Sequence, residues 1–186
     1  MERVRTALQR LRGKTGFVVA VVLVASSTRG ADVPNTRQLP LLARAAETVG
    51  VRRCVAALAA VAARTSGTAL HQDVILDWDR SAPDDHVFHS LTGLQYGDHA
   101  AALSLSAVPE ASGGCSILAE RISAAPLGCA VVARSELAGY VGHPLLASID
   151  VYTNPKTPRE TVTLISTPPG CLIIRRQVEY NWRLAL

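Results

Sequence analysis

The sequence lacks an apolar run long enough to cross a lipid bilayer as a helix. Its N-terminal apolar stretch, Phe17 to Ala25, has nine residues, whereas a transmembrane helix needs about 20. Five basic residues precede this stretch and small residues follow it, an arrangement typical of a cleaved secretory leader. We therefore predict a signal peptide over residues 1–30 and a single domain over residues 31–186. We expect no stable membrane span after removal of the leader, and a periplasmic or secreted location.

The remaining chain also lacks a basic cluster. Residues 1–30 contain six basic residues and one acid, so a formal net charge of about −1 remains from the +4 of the whole chain. The adjacent Arg175 and Arg176 have an acidic residue, Glu179, close to them in the sequence. Because the high pI belongs mostly to the leader, we predict that nucleic acid is not a partner.

The spacing of the cysteines excludes the usual zinc pattern, since no two of them are two to four residues apart. An even number of cysteines in an exported chain favours two disulfides. Three pairings are open. We prefer Cys115 with Cys129, which are close in sequence, and Cys54 with Cys171, which would join the first helical region to the last strand.

Short catalytic motifs are missing as well. The chain has no G-x-S-x-G elbow, no H-E-x-x-H, no glycine-rich phosphate loop and no papain-like cysteine context. Cysteines bonded in disulfides would also have no free thiol to act as a nucleophile. We assign no catalytic residue and no cofactor, and we favour binding over enzymatic activity.

Residues 76–90, "LDWDRSAPDDHVFHS", contain the one concentration of possible metal-binding or catalytic residues, with four aspartates and two histidines. Oxygen and imidazole ligands close together suit Ca²⁺, Mn²⁺ or Zn²⁺. On a strand, however, His86 and His89 would point to opposite faces, and acids beside a turn need no function. As an alternative to binding, the stretch predicts a metal-dependent or His/Asp hydrolase acting on envelope material, built around Asp77, Asp79, Asp85, His86 and His89.

Two helices are predicted first, over residues 36–50 and 51–67. Pro40 is tolerated in the opening turn of the first helix, and Gly50 suits the left-handed turn after it. The second helix carries apolar residues at helical spacing, and Cys54 lies on its apolar stripe. Cys54 should therefore face the core.

After Gly67 the apolar pattern has a period of two, which indicates strands. The last of them, "CLIIRRQVEYNWRL", is predicted to bury one face and to expose the other, which carries Arg175, Gln177 and Glu179. The predicted buried face consists of Leu172, Ile174, Val178, Tyr180, Trp182 and Leu184. The preceding "TVTLIST" is predicted as its hairpin partner, through a type II turn at Pro169 and Gly170.

The middle of the chain leaves alternatives open. Residues 115–137 fit either a hairpin that turns near Pro126 or a helical turn through "SILAERIS", and "LLASIDVYT" predicts one further strand. No internal repeat is visible. The predicted fold class is α+β, an N-terminal helical pair packed on an antiparallel sheet of about five to seven strands.

These observations favour an exported bacterial protein that binds another protein or an envelope ligand, such as an inhibitor, an immunity protein or an accessory factor. The abundance of arginine and alanine, with only two lysines, is consistent with a GC-rich bacterial genome. A hydrolase requires its acids and histidines to converge in a concave pocket, whereas a binding protein predicts an exposed apolar patch or an open sheet edge.

Overall fold

A computed structural model describes residues 39–183, so the predicted leader lies outside the described residues. These residues contain three helices, α1 (Leu41–Thr48), α2 (Val55–Ser66) and α3 (Cys129–Glu136). The strands are β1 (His71–Asp77), β2 (Phe88–Gln95), β3 (Ala100–Pro109), β4 (Cys115–Ala125), β5 (Val141–Leu146), β6 (Ile149–Thr153), β7 (Glu160–Thr167) and β8 (Gly170–Trp182).

The two N-terminal helices form where the sequence predicts them. Helix α1 begins directly after Pro40, and Gly50 takes a φ of +97°, a conformation that favours glycine. Helix α2 begins after Cys54, which is buried as expected. Its buried side chains include Leu58 and Val61, so the apolar stripe packs on the sheet.

All eight strands form one antiparallel sheet in the order β1-β2-β3-β4-β8-β7-β6-β5. The α+β class with a helical pair is confirmed, but the strand count exceeds the predicted five to seven. One reason is that "LLASIDVYT" is not a single strand, because Ala147 and Ser148 form a turn between β5 and β6.

The ambiguous segment combines a strand with a helix. Residues 115–125 form β4, and the chain then enters α3 instead of returning as a hairpin. The hairpin of β7 and β8 is confirmed. Its tight turn contains Pro168 and Pro169, because Thr167 pairs with Gly170, so the predicted placement of the turn at Pro169 and Gly170 is wrong.

The topology contains an internal repeat that the sequence does not reveal. Helix α2 is followed by the four-stranded meander β1–β4, and α3 is followed by the meander β5–β8. The last strand of each meander pairs with the other, antiparallel, at the centre of the sheet. The two halves are therefore related by an approximate two-fold axis between β4 and β8.

The disulfides repeat in the same way. Cys54, directly before α2, is joined to Cys115 at the start of β4, and Cys129, at the start of α3, is joined to Cys171 near the start of β8. Each bridge ties the beginning of a helix to the fourth strand of the same half. The preferred pairing was wrong because it joined the two halves.

Both helical layers lie on one face of the sheet. Ile117 packs in the core beneath α2, and Ile173 packs with Val132 of α3. The register pairs Ile117 with Glu179 and Ser123 with Ile173, and paired residues of neighbouring strands point to the same side. We call this side the helix-bearing face, and the opposite side the open face.

The orientation predicted for β8 is reversed. Cys171 and Ile173 are buried on the helix-bearing face, together with the partly buried Arg175, whereas Leu172 and Ile174 point to the open face. Trp182 returns to the helix-bearing side because one extra residue in β8 shifts the register with β4, which pairs Trp182 with Cys115. Leu184 lies outside the described residues.

Candidate functional site

The open face is an extended surface, rich in aliphatic side chains, that no helix covers in the described part of the chain. Ile75 in β1 is 65% exposed and Tyr180 in β8 is 70% exposed. The register places further aliphatic side chains of seven strands on the same face. These are Leu91, Val108, Leu118, Ile122, Val141, Ile149, Val151, Ile165, Leu172, Ile174 and Val178.

Charges are sparse on this surface. Near its centre, Arg176 Nε lies 3.8 Å from Glu120 Oε1, and Asp73 and Asp77 lie on the edge strand β1. Eight strands averaging about eight residues, at about 3.3 Å per residue and about 4.8 Å between strands, give a face of about 900 Å². A standard protein interface buries about 800 Å² per partner, so this face is large enough for one.

A depression interrupts the open face beside the loop between β6 and β7. Its volume is about 260 Å³, and its lining consists of Pro158, Arg159, Thr161, Arg176, Val178 and Tyr180. Arg159 makes no ion pair with any residue between 39 and 183. The depression therefore combines an apolar wall with a guanidinium that is available to a partner.

The predicted Asp/His site is divided between two places. Asp77 and His89 are paired across β1 and β2 on the open face, and His89 Nδ1 is 2.8 Å from Ser106 Oγ. In the following loop, Asp79 Oδ2 lies 3.7 Å from His86 Nε2.

The carboxylates of this loop are engaged locally. The hydroxyl and the amide of Ser81 donate to Asp79 at 2.6 and 2.8 Å, and these hydrogen bonds lower the pKa of Asp79 below its ordinary value. Asp85 Oδ1 lies 3.6 Å from Arg53 Nη1. Within residues 39–183 no three His, Cys, Asp or Glu side chains converge as a metal site would require. The structure thus brings four of the five candidates together as two pairs and leaves Asp85 beside Arg53, so the hydrolase stays a prediction without geometric support.

Sequence reasoning missed Asp84 in the same loop. Its Oδ1 accepts hydrogen bonds from the backbone amides of Arg52 and Arg53, at 2.8 and 2.7 Å, just before α2 begins. Asp84 therefore fixes the loop to the start of the helix.

A second concave surface lies on the helix-bearing face, where the two halves meet. This cleft has a volume of about 480 Å³, and residues of the end of α2, of β4 and of β8 line it. Arg64 forms an ion pair with Glu179, and Arg175 Nη2 lies 2.8 Å from Glu136 Oε2. Glu179 therefore pairs with Arg64, rather than with Arg175 or Arg176 as its position in the sequence suggests.

Two disulfides indicate an oxidising location outside the cytoplasm. Among residues 39–183, no helix combines the length and the apolar character needed to cross a membrane. No family model, no curated protein and no solved structure matches this chain. Its function is therefore inferred from its own residues.

Proposed function

We propose that this is an exported bacterial protein, periplasmic or secreted, that binds another protein through its open face. The observation that carries the proposal is the uncovered apolar face of the eight-stranded sheet. Soluble monomers rarely expose contiguous apolar patches larger than a few hundred Å². Burial against a partner would remove this surface from water.

The composition of the face defines the partner. Aliphatic side chains interspersed with hydroxyl and small residues, with few charges, match a partner surface that is largely uncharged and partly aliphatic. The depression beside Tyr180 would accept one large side chain, and an acidic residue next to it would meet Arg159. The partner is thus a protein with an apolar patch bordered by a carboxylate.

The leader-like N-terminus and the disulfides support export. The two bridges also fix α2 and α3 to their halves of the sheet, which restrains the shape of the open face. A rigid surface loses less conformational entropy on binding.

Photocrosslinking in the native organism tests the proposal. A benzoylphenylalanine replaces Tyr180 on the open face, and the control replaces Glu47, an exposed residue of α1. We expect a single crosslinked partner from position 180 only, which is then purified and titrated with the protein. Ile174→Asp should weaken that binding about tenfold or more, whereas Glu47→Lys should not change it.

Two results would contradict the proposal. Equal crosslinking from both positions would show that the open face is not selective. A crosslinked product containing only this chain would make a second copy the occupant of the open face.

A further inference from the structure

The floor of the cleft on the helix-bearing face is charged, whereas the positions beneath α2 and α3 are mostly apolar. Along β4 the inward residues change from Ile117 and Ala119 to Arg121, and along β8 they change from Ile173 to Arg175. The change occurs in both central strands, between α2 and α3. Both arginines are half-buried at the cleft wall, where a charged group keeps access to water or to a ligand.

Arg121 differs from the other arginines of the cleft. Arg64 and Arg175 each have a carboxylate partner, but Arg121 has none among the residues that the structure describes. Its guanidinium lies over the ring of Tyr96, 5.3 Å from the centroid. A cation–π contact uses none of the guanidinium N–H groups as a conventional hydrogen-bond donor, so they stay available to an acceptor.

Tyr96 is itself held in place. Its hydroxyl donates to the backbone carbonyl of Ser66 at 2.8 Å, and its ring stacks on His99 with 4.8 Å between centroids. The aromatic support beneath Arg121 is therefore fixed before any ligand arrives. Such preorganisation lowers the entropic cost of binding.

The dimensions and the walls suit a small molecule. A volume of about 480 Å³ is within the range of small-molecule sites, about 300–1,000 Å³. Thr65 and Thr68 line the cleft with hydroxyls, and Glu160 lies two strands from Arg121, where it accepts a hydrogen bond from Tyr140 at 3.3 Å. Glu160 disfavours a second negative group at that end of the cleft.

We propose that this cleft binds a small organic anion whose single carboxylate or phosphate group is held by Arg121, with its uncharged end directed toward Glu160. The site is separate from the open face, since the two lie on opposite sides of the sheet. It does not depend on the protein-binding function proposed above.

NMR titration of the full mature protein tests the cleft, with benzoate as the carboxylate probe and glycerol phosphate as the phosphate probe. The Arg Nε–Hε signals and the Tyr96 ring signals report binding. We expect saturable shifts at Arg121 and Tyr96 with one of the two probes, which identifies the anionic group. Arg121→Gln should weaken this binding about 10- to 100-fold, the loss expected for a charge-assisted hydrogen bond.

Arg80 provides the matched control, because it also lies over an aromatic ring, 5.5 Å from the centroid of Trp78, but outside the cleft. Arg80→Gln should leave the affinity unchanged, and so should Ile174→Asp on the open face. If Arg121→Gln fails to fold, the titration of the unaltered protein with the two probes still tests the proposal. Absence of shifts with both probes at millimolar concentration, or equal shifts at Arg80 and Arg121, would overturn the proposal.

Discussion

Asp84 and Asp85 are neighbours in the sequence but have different surroundings. Asp84 accepts two backbone hydrogen bonds from Arg52 and Arg53, so its carboxylate satisfies amides in the turn that precedes α2. Asp85 lies 3.6 Å from Arg53, and its side chain is 73% exposed. The first contact is specific, whereas an exposed ion pair of this kind contributes little.

We expect Asp84→Ala to lower the free energy of unfolding by about 1–2 kcal/mol, because it leaves the backbone amides of Arg52 and Arg53 without their acceptor. Asp85→Ala is the control and should change it by less than about 0.5 kcal/mol. Urea unfolding of the two variants measures the difference. Equal destabilisation would show that Asp84 does not fix the loop to α2.

Side-chain type and local spacing were informative only for short-range features. The helical spacing around Cys54 was enough to predict its burial, because its neighbours on the apolar stripe lie within two helical turns. The partners of Asp84 lie 31 and 32 residues away in sequence. Local spacing contains no information about such a contact. The sequence therefore could not show which acids of residues 77–89 hold the loop in place and which are candidates for a site.

At the scale of secondary-structure elements, β8 shows what alternation can and cannot predict. The period of two identified the strand and its hairpin partner correctly. It could not show which face the helices cover, because both Ile173 and Ile174 are apolar. The position of α3 decides this, and α3 was not predicted.

The disulfide pairing depended on the same missing information. Cys115 and Cys129 are close in sequence but belong to different halves, one at the start of β4 and the other at the start of α3. The 11-residue strand β4 begins at Cys115 and ends just before the turn that leads to Cys129. Only the arrangement of the two halves shows that each cysteine bonds within its own half.

Truncation of the two neighbouring isoleucines tests the orientation of β8. Ile173 is 5% exposed and packs with Val132, so Ile173→Ala should destabilise the fold by about 2–4 kcal/mol. Ile174→Ala, on the open face, should cost less than about 1 kcal/mol, because no helix contacts it. Chemical unfolding of both variants distinguishes the faces. The reverse order would mean that Ile174 faces the helices.

For the whole molecule, the two halves share a topology but differ in the size of their cores. The larger cluster contains 17 buried residues, which come from α1, α2 and the first meander, whereas the cluster beneath α3 contains six. The edge strand β5 is exposed at all six positions. The charged cleft lies between the clusters, so apolar contact does not join them continuously.

This asymmetry predicts that the C-terminal half opens first. Native-state hydrogen exchange should show lower protection for the amides of β6 and β7 than for those of β2 and β3, because local opening follows the amount of buried apolar surface.

Replacing both Cys129 and Cys171 with alanine removes a bridge that spans 42 residues and should lower the free energy of unfolding by about 2–4 kcal/mol. The loss should appear in β5–β8 and leave β2 and β3 protected. Uniform loss across all eight strands would instead show that the central pair β4–β8 couples the halves into one cooperative unit.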